Sequence, residues 1–329
     1  MTNSLNTKTL RQDFANKNIL IIGDVMIDAY LWGNVERISP EAPIPIVSVN
    51  KRENRMGGAA NVALNIAELG ANPYLISVIG DDEKGKIFLD LLKKRNISEY
   101  GIIIDKHRKT TVKSRVISKN QHLLRVDDEI SNPISEDLSN ALFQKILDLN
   151  SSMKIDAIIF EDYDKGVISS GLISKITEFT TENNIITSVD PKKRNFDDYK
   201  NISLFKPNFK EFCEGLACEI DKTEHELIFS NAKEFMSNKN INYMFITLSE
   251  EGVFITDGQT WHHIPAERRD IADVSGAGDT AISVATLCLV ANLNMYELAK
   301  AANLAGGLVC EKPGVVPINL DELIKALEI

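Results

Sequence analysis

The chain has 329 residues, 43% of them hydrophobic, which is enough to bury a substantial core and more than the commonest single domain needs. A formal charge of −10 argues against nucleic acid or an anionic membrane as partner, because the average field repels both. Cys213, Cys218, Cys288 and Cys310 show neither paired C-x-x-C spacing nor the density of a disulfide scaffold, so reduced thiols and a cytoplasmic location are expected.

The first 18 residues are polar and lack the apolar centre of a secretion signal, and no apolar stretch reaches spanning length without a charge or turn. Residues 18–22 form a short apolar run ending in Gly23-Asp24, the pattern of a buried parallel strand with a polar group at its carboxyl end. Similar runs at 157–160, 185–189 and 243–246 lead to Asp162, Asp190 and Thr247. Between them, residues 58–69, 135–149 and 171–183 place apolar side chains at helical spacing. The alternation predicts an α/β fold, a mostly parallel sheet flanked by helices. Ligands of such sheets bind outside the carboxyl ends of the strands, where Asp24, Asp162, Asp190 and Thr247 converge.

Two segments break the rhythm. Residues 44–50 and 110–126 are rich in β-branched side chains with rough two-residue alternation, and they predict a small β-strand lid inserted into one domain covering 1–329. No linker, repeat or low-complexity tract divides the chain. Exposed lid edges favour a homodimer.

Three clusters carry candidate chemistry. The glycine-rich turn Asp273-Val274-Ser275-Gly276-Ala277-Gly278-Asp279-Thr280 runs into the apolar helical segment 281–291. Free N–H groups and the helix dipole there favour an anion, and Asp279 in the first turn is placed to take a proton from an attacking hydroxyl. Asp279 could equally just complement the dipole. The turn is neither a Walker loop nor a dinucleotide fingerprint. The second cluster, Met56-Gly57-Gly58-Ala59-Ala60-Asn61, joins Asp24 and Asp28 in a set suited to a polyhydroxylated ligand, although ordinary helix initiation also explains it. In the third, Asn208 and Glu211 share a helix face and suit the water shell of Mg²⁺ or, more simply, a helix cap. His262 and His263 lack a third ligand, so no metal site held by the protein alone is expected.

The order of these clusters resembles the ribokinase-like (pfkB) carbohydrate kinases over nearly the whole chain, most closely the heptose-7-phosphate kinases. The resemblance rests on Gly23-Asp24-Val25-Met26-Ile27-Asp28, on Arg37-Ile38-Ser39-Pro40-Glu41-Ala42-Pro43-Ile44-Pro45, on Thr110-Thr111-Val112-Lys113-Ser114-Arg115-Val116, on Leu123-Leu124-Arg125-Val126-Asp127, on Asp162-Tyr163-Asp164-Lys165-Gly166 and on Asp190-Pro191-Lys192. It implies a ribokinase-like fold and ATP- and Mg²⁺-dependent phosphorylation of D-glycero-β-D-manno-heptose 7-phosphate at O1, a step toward ADP-heptose for lipopolysaccharide core. Other sugar kinases of the family, or a sugar-sensing relative without catalysis, are the alternatives.

By the same resemblance Asp279 is the base and Gly276, Ala277 and Gly278 the anion hole. Asp24, Asp28, Gly57, Gly58 and Asn61 fall to the sugar site, and Asn208, Glu211, Lys192, Thr247, Ser249, Gly252 and Asn303 to the nucleotide. The basic lid residues Lys113, Arg115 and Arg125 are expected to include the group holding the sugar's existing phosphate. Ser249 and Lys193 stand where relatives often carry glycine. No nucleotidyltransferase H-x-G-H appears, so the adenylyltransferase fused to many relatives is not expected.

Overall fold

The computed structural model describes residues 6–119 and 121–328. After helix α1 (Leu10–Phe14), strand β1 (Asn18–Gly23) enters the core, and only Asp24 separates it from β2 (Val25–Ile38). β3 (Pro45–Gly58) returns beside β2 and runs straight into α2 (Ala59–Glu68). Next come β4 (Asn72–Gly80), α3 (Glu83–Lys94), β5 (Ile102–Asp105), β6 (Thr111–Ser118) and β7 (Gln121–Asp128). The second half alternates more regularly: α4 (Glu136–Ser152), β8 (Ala157–Glu161), α5 (Ser170–Asn183), β9 (Ile186–Asp190), β10 (Ile202–Phe205), α6 (Phe209–Leu216), α7 (His225–Lys239) and β11 (Ile241–Thr247). β12 (Val253–Thr256), β13 (Trp261–Ile264), α8 (Ala277–Val290), α9 (Met295–Cys310) and α10 (Leu320–Leu327) complete it.

Nine strands form one sheet in the order β13-β12-β11-β10-β9-β8-β1-β4-β5, parallel from β11 to β5 and antiparallel at the β12 and β13 edge. Both faces are covered, which explains the continuous apolar runs. In β1, Ile19 and Ile21 point into one core with Val62, Ile66, Ile282 and Leu298, whereas Leu20 and Ile22 point into the other with Leu142, Ile146, Leu172 and Ile176. The two-residue period of the strand thus sorts its side chains between two helical layers. Side-chain caps set the starts of α4 and α5: Ser135 accepts from the Leu138 N–H and Ser169 from the Leu172 N–H, each at 3.3 Å. No helix among the described residues is long and apolar enough to cross a membrane.

The second sheet is larger than the two expected segments. It has four strands in the order β3-β2-β6-β7. β2 and β3 are each 14 residues long, so strand structure covers 45–58 rather than 44–50, and 25–38 is strand where none was anticipated. The segment 110–126 divides into β6 and β7. β2 escapes a two-residue reading because Val25, Met26, Ile27 and Asp28 are buried in succession beneath the main body. Gly57 and Gly58, read as a helix opening, are strand residues paired with Met26 and Val25.

Candidate active site

The carboxyl ends of the parallel strands meet the amino end of α8. At Gly276 φ is 84°, a left-handed conformation, and a Cβ there would come within 3.0 Å of Asn61 Nδ2. Two residues further on, the absent side chain of Gly278 faces Asp190 Oδ2 and Lys206 Nζ, both 3.6 Å from where its Cβ would lie. Asp279 follows, only 3% exposed. Asn61 Nδ2 donates to its Oδ2 at 2.7 Å and the Tyr163 hydroxyl to its Oδ1 at 2.8 Å. Burial pushes the Asp279 carboxyl above its usual range, while these two hydrogen bonds pull it back toward the ionised form. A carboxylate offers about four acceptor positions, so two remain for a ligand.

Asp279 faces a cavity of about 110 Å³ that Met26, Asp28, Gly58, Lys113, Arg115, Tyr163, Ser275, Gly276 and Val315 also line. Asp28 pairs with Arg115, and the guanidinium carbon of Arg115 stands 5.4 Å from the centre of the Tyr30 ring. Burial works against the Arg115 charge, but Asp28 more than restores it. Gly57 is glycine for contact: a Cβ would fall 2.1 Å from Asp28 Oδ2. Asn61 Oδ1 is buried and has no partner. Lys113 Nζ lies 5.1 Å from the Tyr163 ring, makes no salt bridge among the described residues, and has its pKa lowered by burial.

Two of the anticipated sugar-side residues point elsewhere. Arg125 lies on fully exposed β7 and pairs with Asp127 at 2.7 Å. Asp24 is 1% exposed, and its carboxylate accepts the backbone N–H groups of Tyr163, Lys165 and Val167 at 2.9–3.0 Å. Neither lines the cavity.

Further along the same sheet edge, Asn208 caps α6 and forms a reciprocal capping box with Glu211, both bonds 2.8 Å. Glu211 also pairs with Lys192. Thr247 bridges to Asn208 at the end of β11. Ser249 has φ of 58°, which supplies the physical reason a glycine suits that position, whereas Lys193 is not among the residues with positive φ. At Gly252 φ is 92° and a Cβ would collide with the Ile264 carbonyl oxygen at 2.1 Å. Asn303 on α9 donates to the Pro265 carbonyl at 3.0 Å.

The structure adds three residues to which the sequence reading gave no role. Tyr163 reaches Asp279 across 116 positions of sequence; its local signals are its place two residues after the end of β8 and its membership of the 162–166 motif that carries part of the family resemblance. Lys206, 2% exposed, pairs with Asp190 at 2.7 Å behind Gly278. Glu161 is fully buried with both carboxylate oxygens unpartnered, and burial together with the nearby Asp190 and Asp279 charges pushes its pKa well up. A larger hollow of about 570 Å³ opens elsewhere, between α6 and the segment 218–224, and contains none of these groups.

Comparison with known proteins gives this arrangement its context. The family model described as pfkB family carbohydrate kinase matches residues 16–322. A Helicobacter pylori (strain J99) protein named "Bifunctional protein HldE" is 37% identical over 93% of this chain, and an Aliarcobacter butzleri protein of the same name is 39% identical over 93%. The chain spans only 65% and 63% of those two relatives. Among solved structures, phosphofructokinase-2 from Escherichia coli in complex with substrates and products superposes with a TM-score of 0.79 at 19% identity, covering 95% of this chain and 98% of that one. Arabidopsis thaliana ribokinase complexed with ribose and ATP gives 0.72 at 14% identity, covering 95% and 99%. These neighbours establish the ribokinase-like fold, and the family match over most of the chain establishes the rest: the chain belongs to the pfkB family of carbohydrate kinases.

Proposed function

We propose that the chain phosphorylates the anomeric hydroxyl of a heptose that already carries a phosphate, D-glycero-β-D-manno-heptose 7-phosphate, to give the 1,7-bisphosphate. The observation that carries this reading is one small cavity with the buried Asp279 carboxylate on one wall and the unpaired cation of Lys113 on another. A half-buried lysine in the cavity wall without a carboxylate partner suits an anionic group brought by the ligand. Resemblance to heptose-phosphate kinases along the strand motifs, and the relatives named HldE, support the choice of sugar.

In this reading Asp279 takes the proton of the sugar hydroxyl on one of its two free acceptor positions. The N–H groups of the 276–278 turn and the α8 dipole stabilise charge on the transferring phosphoryl group. Asp28 on the cavity wall holds a sugar hydroxyl, and Asn61, buried beside Asp279 with Oδ1 unpartnered but not lining the cavity, is the second residue assigned to the sugar. ATP supplies the phosphoryl group, and Mg²⁺ neutralises phosphate charge when bound. Lys192, Glu211, Asn208, Thr247, Ser249, Gly252 and Asn303 would hold the nucleotide end. No cluster of three or more His, Cys, Asp or Glu side chains suited to a metal occurs among the described residues. Mg²⁺ would be held by the nucleotide's phosphates, water and one or two carboxylates. A homodimer through the second sheet is part of the proposal, since Leu124 and Val126 on its edge strand are 58% and 51% exposed.

The test is ADP release with heptose 7-phosphate, fructose 6-phosphate, fructose and ribose as acceptors. The proposal expects the highest kcat/KM for heptose 7-phosphate by at least tenfold. An equal or higher value for any other acceptor overturns the substrate assignment.

A further inference from the structure

We propose that Tyr163 is a positioning residue for Asp279, and that Asp24 acts by clamping the loop that presents Tyr163. The inference rests on the reading of Asp279 as the base. Three observations carry it. The Tyr163 hydroxyl donates to Asp279 Oδ1 at 2.8 Å, while Asn61 holds the other oxygen from the opposite side, so the carboxylate plane is fixed by two donors from different elements. The Tyr163 ring has two cations near it, Lys113 Nζ at 5.1 Å and Lys192 Nζ at 5.4 Å from its centre. The backbone of the loop is tied down by one buried side chain, since Asp24 accepts the N–H groups of residues 163, 165 and 167.

Asp24 is itself fixed at both backbone ends. Its N–H donates to the Glu161 carbonyl at 3.2 Å and its carbonyl accepts the Ala59 N–H at 3.0 Å. Three of the about four acceptor positions of this buried acid are taken by loop amides and it does not line the cavity, so its contribution to turnover passes through the tyrosine it positions. Burial pushes the Tyr163 phenol well up, and the neighbouring Asp279, Glu161 and Asp190 charges add to this, which keeps the hydroxyl a donor at neutral pH. The charged groups facing Asp279 are Asp190 at the end of β9 and Lys206 just after β10, with Glu161 at the end of β8 behind them.

Tyr163→Phe tests the idea because it keeps the ring and removes only the hydroxyl. Without that donor Asp279 protonates more easily, so the acid limb of the kcat profile moves to higher pH. The expected loss in kcat is roughly tenfold to a hundredfold near pH 6, the range for one hydrogen bond to a charged group, and it shrinks toward pH 9. KM for the sugar phosphate stays near parental. Asp24→Asn shifts the limb in the same direction, and replacing Tyr163 with 3-fluorotyrosine, a stronger donor, shifts it the other way. A Tyr163→Phe enzyme with the parental acid limb, or one altered only in KM, overturns the proposal. If Tyr163→Phe unfolds, the fluorotyrosine limb decides alone: a downward shift supports the role and an unmoved limb sinks it. Asp279→Asn run in parallel separates this inference from its premise, because parental turnover in that variant would remove the base itself.

Discussion

Replacing Asp279 with asparagine separates a catalytic carboxylate from a merely structural one. Among the side-chain partners of its carboxylate, the new amide can turn its oxygen toward Asn61 Nδ2 and its NH₂ toward the Tyr163 hydroxyl, which rotates to accept, so both buried partners stay satisfied. Burial already raises the Asp279 pKa, so the fold carries a desolvation cost for the ionised form that a neutral amide does not incur. Stability should therefore be parental or slightly higher. Turnover behaves differently. Loss of a general base typically lowers rate by roughly 10²–10⁴, about 3–5 kcal/mol of barrier, and the interaction belongs to the transition state, so kcat collapses while both substrates bind with near-parental affinity. The assay pairs steady-state ADP release with thermal unfolding of the same preparation. A structural Asp279 reverses the pattern: Tm falls by the equivalent of roughly 0.3–1 kcal/mol for a lost helix-terminal charge, and kcat stays within a few-fold. That outcome would refute the reasoning.

Lys113→Met should raise KM for a phosphorylated sugar at least tenfold and leave Tm unchanged or higher, because a half-buried cation without a salt bridge is removed; Arg125→Ala, exposed and paired with Asp127, should leave KM as it is. Burial carries Asp162 from its ordinary 3.8 to about 6. The folded state binds that proton more tightly than the unfolded one, so stability should fall by about 2 kcal/mol as pH rises from 4 to 6, a slope that urea titrations would lose in Asp162→Asn. Ser249→Gly relieves a left-handed backbone and should raise stability by up to about 1 kcal/mol after the extra chain entropy of glycine; an unchanged or lower Tm counts against strain at that turn.

The strands and helices most legible in the sequence were those whose pattern one layer of packing explains. Residues 157–160 read as a strand because Ile158 and Ile159 are buried on opposite faces, and 135–149 read as a helix because Leu142 and Ile146 sit one turn apart on the core face. β2 was illegible because its first residues are enclosed on all sides and its polar Asp28 is paired with Arg115 from another strand, a contact 87 positions away. The turn around Gly276 announced itself through composition, and so did Asn61 beside its glycines. Tyr163 and Lys206 did not, since their meaning lies wholly in partners that only the fold brings near. Asp24 was read as a sugar ligand from its place at a strand end, although its lone pairs face backwards into a loop.

The junctions between the two sheets bear on how a ligand gets in. The cavity holds about 110 Å³, while pockets that bury small molecules commonly measure roughly 300–1,000 Å³, so its walls must part before a sugar phosphate is accommodated. Lys113, Arg115 and Asp28 belong to the wall carried by the second sheet, and Ser275, Gly276 and Asp279 to the wall carried by the main body. β2 and β3 join the body with no slack: Asp24 alone precedes one, and Gly58, with φ of 61°, ends the other. The Asp24 carbonyl accepts the Ala59 N–H, so the two junctions are bonded to each other. Asp24, at one of these junctions, also grips the loop carrying Tyr163. The joint between the two walls of the cavity and the support of the Asp279 carboxylate thereby share one buried side chain.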